Sequence, residues 1–298
     1  MFKLFCVTGY KINKNDPIIN GRQTRQMILE ESKDMLTADV ERLMTAINRL
    51  QGIVNNVYRI QAVEDSAAEY HNSLAALNRD NIQAQLTVDR RFRSYVIECD
   101  MFLDYWEAYI AHHKRIDNST EEELIQEYKM VFKRLTNEEY DNHVEYQLID
   151  LIRNQTAHVQ SPVNRIHIGM DGNEAFSFRD ELLIKCKSGE KKKSILKRQQ
   201  TEIALSPIVK VTLQSLQAIH AGLMMFQLDD LVAEECKYVD NFISYAISKC
   251  HLYEPWVIME ADDRAYHIND IKAYGYILNL LNCQRKDGLL WGKSLKEN

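Results

Sequence analysis

Apolar residues recur every three or four positions along most of the chain, which is typical of amphipathic α-helices. The longest stretch of this kind covers residues 22–79. Its apolar positions follow a heptad spacing, slip once in phase, and then continue. These positions are Leu36, Val40, Leu43, Ile47, Leu50, Val54, Val57, Ile60, Val63, Ala67, Tyr70, Leu74 and Leu77. The pattern predicts one long helix, or two nearly continuous ones, packed either against its own bundle or against a partner as a coiled-coil arm.

The same period predicts further helices at 82–116, 119–135, 137–160, 206–232, 233–250 and 270–284. Thr136 followed by Glu139 forms a capping box that is expected to start the 137–160 helix. Ser206 and Pro207 are expected to start a later helix, because serine caps an N-terminus and proline suits a first turn. Most of the chain is therefore expected to be helical.

Alternating apolar residues predict short strands in three places. One is Phe2–Val7, and another is the pair Trp256–Met259 and Tyr266–Ile268. The third lies between residues 166 and 178, where an Asp-Gly dipeptide separates two alternating runs and predicts a β-hairpin. The fold class is therefore mainly α. Its predicted parts are a strand and long helical arm at 1–80, a helical bundle with the hairpin at 81–250, and a small mixed α/β part at 251–298.

The composition narrows the class of protein. Among 298 residues there are only 10 glycines and 4 prolines, and 45% of the residues are hydrophobic, which fits a helical globular protein. The six cysteines form no CxxC pair, so they are interpreted as reduced thiols of a cytoplasmic protein. The N-terminal apolar run is too short for a signal peptide, and no run suits a membrane helix. No His and carboxylate set has ligand spacing, so neither a metal nor a cofactor is predicted.

The net charge is −6, but the charge is distributed unevenly. Residues 98–150 contain 14 acidic and 5 basic residues, whereas residues 185–198 contain 7 basic residues and 1 acidic residue. The basic segment is predicted to be a loop containing glycine and serine. Its cations are candidate contacts to an RNA backbone, the alternative being a solvated loop. The candidate RNA-binding residues are Lys191, Lys192, Lys193, Lys197 and Arg198.

The candidate catalytic residues lie near the end of the 137–160 helix. They are Arg153, Asn154 and His158, shortly before Pro162. Asn154 and His158 are four residues apart and share a helix face, and the long arginine side chain can reach back toward them. A histidine can take the proton of an RNA 2′-hydroxyl, and a guanidinium matches the oxygens of a phosphorane. An amide can orient the histidine.

One histidine cannot act as base and acid at the same moment. A two-fold homodimer would supply a second copy of each group. An arginine and a histidine close together can therefore cleave RNA without a metal ion, through attack of the 2′-hydroxyl.

The motif Arg153-Asn154-x-x-x-His158 resembles the signature of the HEPN superfamily, in which a polar residue follows the arginine and the histidine comes a few residues later. The resemblance loosely covers the helices from about 82 to 235. It implies a small helical bundle that acts as a dimeric, metal-independent endoribonuclease, and it maps the family's catalytic positions onto Arg153, Asn154 and His158. It also implies a phage-defence or toxin setting in which a regulatory partner protein restrains the activity.

A second interpretation is a non-catalytic helical interaction or RNA-binding protein. In this case the heptad arm is used for oligomerisation, and Arg153 and His158 are surface residues. The acidic balance of the chain favours this alternative. The asparagine after the arginine and the downstream basic segment favour the enzyme.

Overall fold

The computed structural model describes residues 2–11, 18–19, 22–23, 26–77, 82–112, 121–156, 161–170, 172–186, 189–227, 230–250, 256–260 and 265–267. The chain is mainly helical, as the apolar period predicts. The helices in these residues are α1 Thr37–Ala75, α2 Ile82–His112, α3 Glu121–Asn142, α4 Val144–Thr156, α5 Arg179–Lys185, α6 Glu190–Lys197, α7 Leu205–Gln227 and α8 Asp230–Cys250. The strands are β1 Phe2–Lys11, β2 Ile18–Ile19, β3 Arg22–Gln23, β4 Gln26–Met35, β5 Arg165–Gly169, β6 Gly172–Phe178, β7 Glu202–Ala204, β8 Trp256–Glu260 and β9 Ala265–His267. The predicted helix 270–284 lies outside the described residues.

The prediction that the long helix begins at residue 22 is wrong. Strand β4 pairs antiparallel with β1 over this stretch, and α1 begins only at Thr37. Three consecutive apolar residues, Met27 to Leu29, lie in β4 and do not follow a helical spacing. The heptad positions begin only at Leu36, so the regular helical pattern and the helix itself start together.

Strand β1 also pairs with β8, and β8 pairs with β9, giving an antiparallel sheet of order β4-β1-β8-β9. The two strands predicted near the C-terminal end are therefore confirmed. The described strands β1 and β8 bring the two ends of the sequence into one sheet, a long-range pairing that local periodicity does not reveal.

The described residues pack into two compact units, one within residues 1–55 and 227–298 and the other within residues 56–226. The boundaries predicted from the sequence were at residues 80 and 250. In the first unit, the start of α1 and α8 each contribute buried apolar residues, among them Leu43, Leu50 and Val239. Arg49 pairs with Glu235 at 3.3 Å within this unit.

Most of the heptad positions of α1 are buried within the chain. Leu43, Val63 and Tyr70 have no exposed surface, whereas Leu36 at the start is 73% exposed. The structure therefore supports the interpretation of a long helix that packs against its own chain. The seam is not an open surface along which a second chain could form a coiled coil.

The second unit contains a small sheet of order β5-β6-β7. Its first two strands form the predicted hairpin, and Gly172 takes a φ of 120° at the turn, a conformation that favours glycine. Strand β7 was not predicted. The basic segment, predicted as a loop, instead contains helix α6, because lysine is a good helix former and Glu190 lies 3.7 Å from Lys193 one turn later.

The predicted start of the 137–160 helix is also wrong. Thr136 lies inside α3, where its Oγ1 donates a hydrogen bond to the Phe132 carbonyl at 2.9 Å. A threonine hydroxyl can bond to the preceding turn of a helix as well as cap a new one, so the motif alone did not distinguish the two. Helix α3 ends at Asn142, and α4 begins at Val144 and ends at Thr156.

Candidate functional site

Helix α4 carries Arg153 in its last turn. One side of the helix is apolar, and Leu148, Leu151 and Ile152 are buried, which fixes the helix against its neighbours. Arg153 lies on the more exposed side. Its Nη1 is 2.5 Å from Asp100 Oδ1 on α2, and its Nη2 is 3.5 Å from Asp150 Oδ1 one turn earlier. Two carboxylates from two helices therefore hold a guanidinium that remains 38% exposed.

The second oxygen of Asp150 contacts helix α6. Lys192 Nζ lies 2.5 Å from Asp150 Oδ2, with the Lys192 side chain 34% exposed. Arg153 was predicted from the candidate catalytic motif and Lys192 from the separate basic segment. The structure brings these two predicted residues to one carboxylate.

The remaining predicted residues are distributed as follows. Asn154 lies on α4 and Lys191 lies on α6, but the structure describes only the backbone of these two residues. His158 lies outside the described residues. Lys193 and Lys197 each approach Glu190 at 3.7 Å, and Arg198 is exposed just after α6. Lys197 and Arg198 are exposed to solvent, whereas Lys193 is about one-third exposed, as Lys192 is.

A cavity of about 360 Å³ lies between α2, α3 and α4 and has Arg153 in its wall. Its polar lining is mainly acidic, with Asp100, Asp104, Glu107 and Asp150 facing the single guanidinium. In the described part of the chain, no cation pairs with Asp104 or Glu107. Sequence reasoning missed this cavity, although the acidic excess over residues 98–150 was a signal for it.

The other walls are mainly aromatic or apolar, with Thr136 and Asn137 as neutral polar residues. The aromatic residues are Phe132, Tyr140 and Tyr146, and the last of these is 6% exposed. Burial raises the pKa of Tyr146 above its usual range, so the phenol remains protonated at neutral pH. Burial also raises the pKa of the Cys99 thiol in the same wall to about 12, which excludes it as a thiolate nucleophile.

Two wider cavities of about 830 and 800 Å³ share His71, Glu174 and Ser206. The Ser206 hydroxyl donates to Glu174 Oε1 at 2.9 Å, and the Ser206 N–H donates to the same oxygen at 3.1 Å. Glu174 therefore accepts hydrogen bonds from the first turn of α7. This helix starts at Leu205, one residue before Ser206, the predicted N-cap. Because the hydroxyl donates to the carboxylate, these residues do not form a serine nucleophile with a histidine base.

Comparison of the chain with family models, with curated proteins and with solved structures gave no match. Within the described residues, no three His, Cys, Asp or Glu side chains are grouped so that they could hold a metal ion. Among the described helices, none combines enough length with enough apolar character to cross a membrane. Function is therefore inferred from the residues and their geometry.

Proposed function

We propose that this protein is a HEPN-type, metal-independent endoribonuclease that acts as a homodimer. The proposal rests on one observation: Arg153 and Lys192 both form an ion pair with Asp150. One residue belongs to the catalytic motif and the other to the candidate RNA-binding segment. Their proximity gives one surface that can hold a phosphate and the adjoining RNA backbone.

Arg153 stabilises the phosphorane in this proposal. A guanidinium has five N–H donors, and its contacts to Asp100 and Asp150 use Nη1 for one carboxylate and Nη2 for the other. The group is thus oriented before substrate arrives, while its exposed part remains accessible. A donor that is oriented in advance stabilises developing negative charge better than one that must reorganise during the reaction.

His158 supplies the proton transfer, and Asn154 orients it. His158 follows Arg153 by five residues and is the motif residue whose ordinary pKa lies near neutrality. It removes the proton of the 2′-hydroxyl, and the His158 of a second copy protonates the leaving 5′-oxygen. The products are a 2′,3′-cyclic phosphate and a 5′-hydroxyl.

The charge distribution supports a path for the RNA backbone along α6. Lys192, Lys193 and Lys197 lie on this helix, whereas the cavity beside Arg153 is acidic and repels phosphates. The backbone is therefore held at the rim. By resemblance, the biological setting is phage defence or a toxin system with a regulatory partner protein.

The alternative of an interaction protein is not favoured by the described residues. It requires the heptad arm to offer an apolar seam to another chain, and most of this seam is buried within the chain itself. The enzyme is therefore the proposal that the described contacts support best.

The test is cleavage of total tRNA and of a mixed-sequence single-stranded RNA by purified protein in EDTA. We expect products with cyclic phosphate ends from the wild type. Arg153→Ala and His158→Ala should abolish them. Arg134→Ala is the matched control, because Arg134 is an arginine on α3 that pairs with Glu138 outside the cavity. Equal cleavage by the His158 variant, or no cleavage by the wild type, would contradict the proposal.

A further inference from the structure

We infer that the cavity between α2, α3 and α4 binds one RNA base, guanine, next to the phosphate held at Arg153. The inference rests on the proposed ribonuclease function and deepens it, because it assigns a base preference to the same site. It uses Asp104, Glu107 and the aromatic residues of the cavity, which neither take part in the cleavage chemistry nor orient Arg153.

The size and the walls of the cavity suit a planar base. Its volume is about 360 Å³, and Phe132, Tyr140 and Tyr146 contribute three aromatic rings to its lining. Single-stranded RNA is commonly recognised by bases that leave the stack and lie against aromatic side chains. Such stacking is tolerant of sequence, so the choice among bases must come from the polar groups of the cavity.

The polar groups select a base that offers hydrogen-bond donors. Asp104 and Glu107 line the cavity and have no cation partner among the described residues. An ionised carboxylate only accepts hydrogen bonds. Guanine presents N1–H and the N2 amino group side by side, matching the two oxygens of a carboxylate. Adenine, cytosine and uracil each place an acceptor beside their donor, and a carboxylate repels that acceptor.

Phosphate does not suit the interior of this cavity, because four carboxylates face one guanidinium there. The phosphate instead suits the exposed part of the Arg153 guanidinium, which is 38% exposed where it contacts Asp100. Asp100 and Asp104 are one helical turn apart on α2, or about 6 Å along the axis. One RNA strand can therefore place a phosphate at Arg153, beside Asp100, and an adjacent base at Asp104.

Binding is measured by fluorescence anisotropy with labelled 2′-O-methyl RNA pentamers, which cannot be cleaved because the attacking hydroxyl is blocked. The four probes have uridine at every position except the central one, which is G, A, C or U. We expect the G probe to bind about 10-fold or more tightly than the others, since a charged hydrogen-bond acceptor is involved. The double variant Asp104→Asn with Glu107→Gln should reduce G binding to the level of the other probes.

Glu127→Gln is the matched control, because Glu127 is an exposed acid on α3 that does not line the cavity. It should retain the G preference. The single variants Asp104→Asn and Glu107→Gln, which change one exposed residue each, provide the same test if the double variant folds poorly. Equal affinity of the wild type for all four probes overturns the inference. Binding of spermidine at the cavity without any base preference overturns it too, since the cavity is then a site for cations.

The two proposals fail in different ways. Cleavage in EDTA that depends on His158 but shows no preference in the binding assay retains the ribonuclease and removes the guanine pocket. A G preference that requires Asp104 and Glu107, without cleavage of any RNA, retains the pocket and removes the ribonuclease.

Discussion

The two faces of helix α2 differ in their exposure to water and in the residues they carry. One face carries Asp100, Asp104 and Glu107 toward the acidic cavity, with Asp100 34% exposed and paired with Arg153. The opposite face buries Phe102 and Trp106 completely. The charged face keeps contact with water, so its ion pairs contribute little to folding. The buried face excludes water, so stability depends on it.

Trp106 on this buried face and two residues packed against it, on α3 and α7, have buried polar atoms with no hydrogen-bond partner among the described residues. They are Trp106 Nε1, Tyr128 Oη and His220 Nδ1. The rings lie together, with the Trp106 centroid 6.3 Å from Tyr128 and 5.8 Å from His220. Burial lowers the pKa of His220 to about 4, so the histidine is neutral at neutral pH. A buried polar group is tolerated here because it carries no charge.

The largest effect on stability is expected from Trp106→Ala. Trp106 has no exposed surface, and its removal leaves a cavity that the neighbouring helices cannot fill. The expected loss in the free energy of unfolding is about 3–5 kcal/mol, measured by urea denaturation. Met130→Ala is the control, since Met130 is 65% exposed and should change stability by less than about 0.5 kcal/mol. A loss of similar size in both variants would remove the contrast between buried and exposed positions.

The second prediction concerns pH. The folded pKa of His220 is lowered to about 4, whereas an unfolded histidine titrates near 6.5. The unfolded state therefore binds a proton first as the pH falls, and stability decreases between about pH 6.5 and pH 4. The expected decrease from this residue is roughly 3 kcal/mol, which unfolding curves at a series of pH values measure.

His220→Gln should flatten this part of the pH profile, because glutamine does not titrate. Met130→Ala should leave the profile unchanged, since Met130 is 65% exposed and does not titrate. An unchanged profile in the His220 variant would show that other groups cause the pH dependence.

A smaller effect is expected at the boundary between the two faces. The Tyr105 hydroxyl donates to Asn56 Oδ1 at 2.7 Å, and Asn56 has no exposed surface. Tyr105→Phe removes this donor and should cost about 1–2 kcal/mol of unfolding free energy, because a buried acceptor loses a partner. Tyr58→Phe is the control, as Tyr58 is 65% exposed. If both variants changed the unfolding free energy by an equal and negligible amount, the hydrogen bond of Tyr105 would contribute no more to stability than the solvent-facing hydroxyl of Tyr58.

The sequence predicted those parts of this contrast that depend on local spacing. Helix α2 and the Asp-Gly hairpin follow from apolar periods of about four and two residues, and both elements are confirmed. The contacts of Arg153 could not be predicted in this way. Asp100 is 53 residues away along the chain, and Lys192 lies 42 residues beyond Asp150. Packing of α2, α4 and α6 brings them together, and periodicity specifies which face is buried but not which partner it meets.

The same limit explains the missed elements. The sequence around Thr136 fits a helix start as well as it fits a helix interior. The boundary between α3 and α4, which lies near residue 143, was therefore predicted at the wrong position. The pairing of β1 with β8 joins segments about 250 residues apart, and no local pattern signals it. The motif residues themselves were found from sequence, but the acidic cavity beside them requires three helices to be in place.

The smallest effect on stability is expected at the ion pair of the charged face. Asp100→Asn removes the charge but keeps the size of the side chain. Because both partners are about one-third exposed, the unfolding free energy should change by less than about 1 kcal/mol. If the protein is the proposed ribonuclease, RNA cleavage should fall by about 100-fold, because the guanidinium loses the contact that orients it and small errors of position are costly in catalysis.

Glu98→Gln provides the matched control for this variant. Glu98 lies on the same helix, is 30% exposed, and approaches Arg59 at 3.9 Å away from the cavity. Both substitutions remove one charge from α2, so a general electrostatic effect would change cleavage equally in the two. A loss confined to Asp100→Asn shows that position matters more than net charge. Full cleavage by a folded Asp100→Asn protein would mean that Arg153 needs no carboxylate to orient it, and the two faces of α2 would then differ only in their exposure to water.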